Sequence, residues 1–181
     1  MAVCLVLVLG ALLAGCASEK FESMPGLNVG TLSGELARDW GLKFGEPSEV
    51  TPEEGGQAWS TVHGEGLHSS TGAKIVCEIG YYSPEEVWSV SFYVQWDEVL
   101  TPVDVNSLDQ LSRRYLTYCL GKACPGLAGT ARANVDPGIG EADTSRRDTI
   151  NGTNVSVWSS AKLCTAAVEI VRKSTSDATG D

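Results

Sequence analysis

Ten consecutive residues near the middle of the chain, 87–96, alternate between two kinds of side chain. Large apolar side chains occupy every second position, at Trp88, Val90, Phe92, Val94 and Trp96. This period of two is typical of a β-strand, because successive side chains on a strand point to opposite faces of the sheet. We therefore predict a strand over 87–96 that buries these five side chains. Any fold of this chain then has to supply a sheet with a core against one face.

Further strands are predicted on both sides of this one in the sequence. One is expected over 74–82 and a shorter one over 57–63. Nearer the C-terminus, Asn151-Gly152 separates two β-prone runs and is a typical sequence for a tight hairpin turn. Strands are accordingly predicted over 145–150, 153–159 and 163–172.

Two helices are predicted from apolar residues at helical spacing. The first covers 29–40, where the apolar stripe is formed by Val29, Leu32, Leu36 and Trp40. The second runs from Asp104 or Ser107 to Leu120, and Ser107-x-x-Gln110 has the form of a capping box. The predicted order is therefore one helix and three strands, twice (αβββ–αβββ).

This order indicates an α+β fold in which an antiparallel sheet carries the helices on one face. We expect a single domain over 29–173, with possible half-repeats at 29–97 and 102–173. Residues 174–181 contain nothing to bury and are predicted to be disordered.

The step from the first helix into the sheet carries a resemblance to known proteins. Trp40-Gly41 through Gly45-x-Pro47 resembles the helix-then-sheet units of envelope lipoproteins of the outer-membrane assembly type and of secreted β-lactamase inhibitors. The resemblance covers the element order and one Gly-x-Pro step. It implies a local fold and carries no function across, because one fold hosts many functions.

The N-terminal segment predicts export. Residues 1–15 are uncharged and apolar apart from two glycines, which is too short for a membrane span of about 20 residues and right for a signal peptide. The segment ends in Leu13-Ala14-Gly15-Cys16, which resembles the lipobox of bacterial lipoproteins. The resemblance implies cleavage between Gly15 and Cys16. It also implies acyl chains, such as palmitate, on Cys16.

The beginning of this segment and the residues that follow it give two further predictions. Residues 1–3 contain no Lys or Arg, whereas a signal peptide usually begins with basic residues, so we expect the true start to lie upstream of Met1. On the other side, residues 16–28 are mostly polar and include Pro25-Gly26. They are predicted to be a tether that reaches at most about 40 Å from Cys16 to the domain.

Four cysteines remain in the body of the protein: Cys77, Cys119, Cys124 and Cys164. In an exported chain they predict two disulfides, for which three connectivities are open. We favour Cys119–Cys124, which would close a short loop at a helix end, and Cys77–Cys164, which would join two predicted strands. Redox chemistry is not expected, because the spacing of Cys119 and Cys124 is not that of a CxxC motif.

Residues with catalytic or metal-binding chemistry are sparse. His63 and His68 flank Glu65, but a zinc protease needs His-Glu-x-x-His on one helix face. On a strand, His63 and Glu65 would share a face and His68 would point away. Acidic pairs are plentiful, but adjacent side chains on a strand or turn mostly point apart and such runs are usually solvated. We therefore predict no catalytic residues, no metal site and no cofactor.

Two features are typical of recognition surfaces. Residues 121–147 are rich in Gly, Pro and Ala without periodicity, and long loops in small domains are usually functional or flexible. Trp59, Tyr82 and Tyr93 fall on faces that the pattern does not place. Either feature would serve a partner if exposed, and an unrecognised short helix in the loop or burial of the aromatics in the sheet is the alternative.

The net charge of the chain limits the classes of partner that we expect. Asp and Glu number 23 against 13 Lys and Arg, so the formal charge is −10 and we expect no nucleic-acid partner. We predict a lipid-anchored envelope lipoprotein on the extracytoplasmic side of the membrane. We expect it to be a non-catalytic binding module for a small ligand or an envelope protein. The alternatives are an inhibitor or regulatory partner of an envelope enzyme, and an envelope enzyme that uses carboxylates or His63 and His68.

Overall fold

Two helices and eight strands make up the part of the chain that the computed structural model describes, which is residues 21–52, 57–97, 102–125, 135, 143–150, 152–160 and 162–172. The predicted signal peptide, Cys16 and the C-terminal tail lie outside the described residues. The elements in chain order are α1 (Val29–Trp40), β1 (Lys43–Phe44), β2 (Ser48–Val50), β3 (Trp59–Leu67), β4 (Lys74–Tyr81), β5 (Val87–Gln95), α2 (Pro102–Ala123), β6 (Thr144–Ile150), β7 (Thr153–Ser160) and β8 (Thr165–Arg172).

The strands form one sheet in the order β1-β3-β4-β5-β8-β7-β6, and β2 pairs with β3 beside β1. Each recorded pairing between strands is antiparallel. The sheet and the two helices confirm the predicted α+β class. Strands β1 and β2 were not predicted, because two or three residues are too few to establish a period.

Helix α1 has the limits that the sequence predicts, and both ends are capped. The Asn28 side chain accepts a hydrogen bond from the backbone N–H of Thr31 at 3.1 Å. Gly41 follows the helix with φ of 71°, a left-handed conformation that glycine adopts at low cost. Helix α2 begins earlier than predicted, at Pro102, because proline is well suited to the first turn, where its missing N–H has no helical partner.

The main core lies between the helices and one face of the sheet. Leu32 and Leu36 of α1 belong to the same buried cluster as the α2 residue Tyr115. The Tyr115 hydroxyl donates a hydrogen bond of 2.9 Å to the carbonyl of Val76 on β4, and its ring meets Phe92 of β5 edge-on at 6.3 Å. Both helices therefore cover the same face of the sheet, as the sequence predicts.

A β-bulge between β4 and β5 changes the position of Trp88. Gly80 pairs with Ser89, whereas the next residue, Tyr81, pairs with Val87, so Trp88 is the extra residue. Val87 is buried in the main core in its place. The prediction that Trp88 shares a face with Val90 was therefore wrong, because a bulge shifts the alternation by one residue.

Residues 21–28, which precede α1, are packed against the domain rather than extended as a free tether. Met24 is 2% exposed, and its backbone N–H donates to the carbonyl of Val87. The ring of Phe21 stacks on Trp88 at 4.5 Å. We call residues 21–28 the leader. Its isolated apolar side chains give no periodic pattern, so the sequence did not reveal this packing.

The four body cysteines are thiols in the structure, so both predicted disulfides are wrong. Cys77 and Cys164 are separated by two strand spacings across the sheet and four residues along it, which is about 16 Å. Cys119 lies in α2, and the backbone N–H of Cys124 still donates to the carbonyl of Leu120, as in a helix. Five residues of helix separate the two cysteines by about 7.5 Å along the helix axis. A disulfide requires Cα atoms within about 7 Å, so neither pair is in reach.

Candidate functional site

One face of the sheet carries no helix among the described residues. We call this face the open face. Its side chains alternate along each strand with those that point into the main core. They are Thr61, His63 and Glu65 on β3, Lys74, Val76 and Glu78 on β4, Ser89, Ser91 and Tyr93 on β5, Thr165, Ala167 and Glu169 on β8, Asn154, Ser156 and Trp158 on β7, and Ser145, Arg147 and Thr149 on β6.

A row of polar residues crosses the open face from one side of the sheet to the other. Each member is the register partner of the next, so their side chains are neighbours on one surface. The row consists of His63, Glu78, Ser91, Glu169, Ser156 and Arg147. No single strand contains this row, so the sequence pattern did not predict it.

His63 lies at one end of the row between two carboxylates. Its Nε2 is 3.5 Å from Glu65 and its Nδ1 is 3.3 Å from Glu78. The Lys74 ammonium also contacts Glu65, and its hydrogen bond and charge, with a smaller contribution from His63, lower the pKa of that carboxyl. The predicted shared face of His63 and Glu65 is confirmed. The result is an exposed, charged corner rather than an enclosed acid–base pair.

His68 is not part of this corner. It lies in the turn between β3 and β4, where its Nδ1 is 3.0 Å from the Thr71 hydroxyl and 3.3 Å from the Ser70 hydroxyl. Five residues of extended chain, about 16 Å, separate it from His63. The structure therefore does not bring the two imidazoles together.

Glu169 lies at the centre of the row and is half-buried. Burial raises the pKa of its carboxyl, and the negative charge of Glu78 raises it further. A hydrogen bond from Trp158 and the positive charge of Arg147 act in the opposite direction but do not cancel this rise. Glu169 is therefore a carboxyl whose ionised form is disfavoured by its surroundings, and it lies beside the buried residues Ser91 and Ala167 of the same face.

The raised pKa gives a prediction for Glu169→Gln. A carboxyl whose pKa is higher in the folded state than in the unfolded state destabilises the fold once it ionises, so its stabilising contribution is lost as pH rises. We expect Glu169→Gln to have a higher melting temperature than the native protein at pH 7. The difference should shrink as the pH falls below the ordinary carboxyl range. Thermal melts of both proteins between pH 3 and pH 8 test this, and equal or opposite shifts at pH 7 would contradict it.

Two aromatic rings lie beside the polar row. Trp158 meets Tyr93 edge-on at 6.4 Å, and both pack with Val76 and Ala167 in a second, smaller hydrophobic cluster. Tyr93 is nearly enclosed, and burial raises the pKa of its hydroxyl. Trp158 is half-buried, so part of its indole remains accessible. The open face thus combines an accessible aromatic ring with a partly buried carboxyl.

A second aromatic group lies where the leader crosses the end of the sheet. Trp88 is stacked on Phe21, meets Trp59 edge-on at 5.7 Å, and lies 6.3 Å from Tyr82. The Tyr82 hydroxyl accepts a hydrogen bond of 3.2 Å from the backbone N–H of Phe21. We call this group of four the leader-end aromatics. Trp88 is buried, whereas the other three are half-buried.

The opposite end of the sheet carries the two large apolar side chains that are most exposed in the described part of the chain. Leu67, the last residue of β3, is 74% exposed, and Leu163, just before β8, is 49% exposed. Leu67 also borders a shallow concavity of about 820 Å³ that includes His63 and Lys74. This end therefore offers both apolar and charged contacts.

Two kinds of feature are absent from the described residues. These residues contain no group of three or more His, Cys, Asp or Glu side chains arranged to hold a metal ion. No described helix is both long enough and apolar enough to cross a membrane.

No protein-family model, curated protein or solved structure matches this chain. Any functional assignment therefore depends on the surfaces described above and on the N-terminal sequence.

Proposed function

We propose that this protein is an envelope lipoprotein, held on the extracytoplasmic side of a membrane by acyl chains on Cys16, whose domain is a binding module. The anchor is supported by the sequence Leu13-Ala14-Gly15-Cys16 after an apolar segment of signal-peptide length. The binding role is supported by the open face. Its partner is an envelope protein or a small ligand.

The observation that carries the binding role is a sheet face that no described helix covers and whose outer strands carry partly exposed side chains, among them His63, Ser156 and Trp158. The two described helices cover the other face, and the open face holds an accessible indole beside a polar row. Interfaces between proteins combine an aromatic centre with a polar surround, which is the composition of this surface around Trp158. Glu169, whose charged form is disfavoured by burial, would gain from a cationic or hydrogen-bond-donating partner group.

The finer architecture supports a tandem origin for this surface. The strands run β3-β4-β5 on one side and β6-β7-β8 on the other, and the last strand of each set, β5 and β8, pair at the centre. Each set follows one helix in the chain. We propose that the two αβββ units are half-repeats and that the polar row spans both of them.

A second candidate function is inhibition or regulation of an envelope enzyme. Leu67 favours it, because this exposed side chain lies where β3 enters the six-residue connection to β4. A projecting apolar side chain at the end of a hairpin suits insertion into the cleft of an enzyme. An enzyme that uses carboxylates or His63 and His68 is the third candidate. Only the raised pKa of Glu169 favours it, since the two histidines are far apart.

Site-specific photo-crosslinking in the host cell tests the binding role. A crosslinking residue replaces His63 or Ser156 on the open face, and the same residue at Gln110, which is exposed on α2, is the matched control. We expect a discrete adduct from the open-face positions and none from Gln110. An adduct from Gln110 alone, or no adduct from any position, would contradict the proposal. An adduct from Leu67 alone would favour the inhibitor.

A further inference from the structure

The packed leader sets how far the domain can stand from its anchor. Phe21 is already fixed to the domain by its stack on Trp88 and its hydrogen bond to Tyr82. Glu22, the next residue, forms an ion pair with Arg172 at the end of β8. Only five residue steps separate Cys16 from Phe21, and they reach at most about 17 Å when fully extended. The chain attached to the acyl group therefore leaves the domain little room to move away or to turn over.

The position of the leader also indicates which end of the domain faces the acyl group on Cys16. Strand β5 begins at Val87 beside the leader and ends at Gln95, about 27 Å away along the strand. Trp96, which follows β5, donates its backbone N–H to Cys164 at that far end. Leu67 lies at the same far end, because it pairs with Lys74, which in turn pairs with Gln95. The leader-end aromatics thus lie at the end of the domain that the chain from Cys16 enters at Phe21.

We propose that the leader-end aromatics rest on the lipid bilayer, so that the domain stands upright on the membrane with Leu67 at the pole facing away. The proposal rests on acylation of Cys16, as proposed above. Indole and phenol side chains are enriched at membrane interfaces because each ring has an apolar body and a polar edge. Phe21, Trp59 and Tyr82 are half-buried around Trp88 and supply such rings on one small surface.

The charged residues near the leader-end aromatics indicate which lipid headgroups this surface would contact. Glu85 and Glu86 lie in the turn that follows Tyr82, and Glu22 is paired with Arg172. The chain as a whole has a formal charge of −10. Acidic side chains are repelled by anionic headgroups, so the contact is with zwitterionic lipid and weakens as anionic lipid is added.

Fluorescence quenching on vesicles tests this orientation. The full-length acylated protein is reconstituted into phosphatidylcholine vesicles that contain phosphatidylcholine with a nitroxide on its headgroup, which quenches nearby indoles. The chain contains five tryptophans, whose fluorescence is measured. We expect partial quenching, and we expect Trp59→Phe to remove a large part of the quenched signal. Trp96→Phe, the matched change at the far end, should leave the quenched signal unchanged. Both substitutions keep an aromatic ring and so preserve the packing.

The outcomes separate the two proposals. Intact mass of the same samples reports acylation independently of fluorescence. An acylated protein that shows no quenching, or whose quenching falls with Trp96→Phe and not with Trp59→Phe, overturns the orientation and leaves the anchor intact. A protein that carries no acyl group overturns the anchor and this inference with it.

Discussion

Trp88→Ala is expected to destabilise the fold by about 3–5 kcal/mol. Trp88 is 3% exposed, stacks on Phe21 and contacts Trp59 and Tyr82, so its removal leaves a large cavity between the leader and the sheet. The loss is a large share of the stability of a typical domain, which is about 5–15 kcal/mol. Chemical denaturation of the purified protein, followed by circular dichroism, measures it.

Trp88→Phe is the matched control for this change. It keeps a ring against Phe21 and removes the indole N–H, which is buried without an acceptor among the described residues. We expect a much smaller loss than for Trp88→Ala. Equal losses for the two variants, or a loss below about 1 kcal/mol for Trp88→Ala, would show that the leader is not held by this stack.

Cys16→Ala is expected to transfer the protein from the detergent-rich phase to the aqueous phase in a phase-separation assay. Each acyl methylene buried in a bilayer contributes about 0.8 kcal/mol, so the loss of two or more chains removes nearly all membrane affinity. The proposed contact of the leader-end aromatics with lipid is too small to replace the chains.

Cys124→Ala is the control for this second change, because Cys124 is a half-buried thiol of the body rather than part of the lipobox. Its variant should remain in the detergent-rich phase. If Cys16→Ala partitions as the native protein does, the acyl anchor is wrong.

The periodic elements could be predicted from the sequence because each one repeats a local rule. The helix at Val29–Trp40 and the strands around Cys77 and Phe92 have the predicted positions, since burial of one face imposes a period of 3.6 or 2 on the chain. The bulge at Trp88 escaped this reasoning because one inserted residue shifts the period. The disulfides were predicted from a count of cysteines, which contains no distance between them.

The candidate site could be predicted only in part, because it depends on contacts between elements. The shared face of His63 and Glu65 follows from one strand, whereas the pairing of His63 with Glu78 depends on the register between β3 and β4. The environment of Glu169 depends on three strands, since Trp158 and Arg147 lie on β7 and β6. Such registers are set by tertiary packing and are not visible in a single sequence.

Both the proposed position of the domain and the side of the membrane that it faces depend on acylation of Cys16. Mass spectrometry of the N-terminal peptide of the protein isolated from its own membranes tests it most directly. We expect the mature chain to begin at Cys16 and this residue to carry acyl chains. A chain that begins at any other residue, or an unmodified Cys16 thiol, would contradict it.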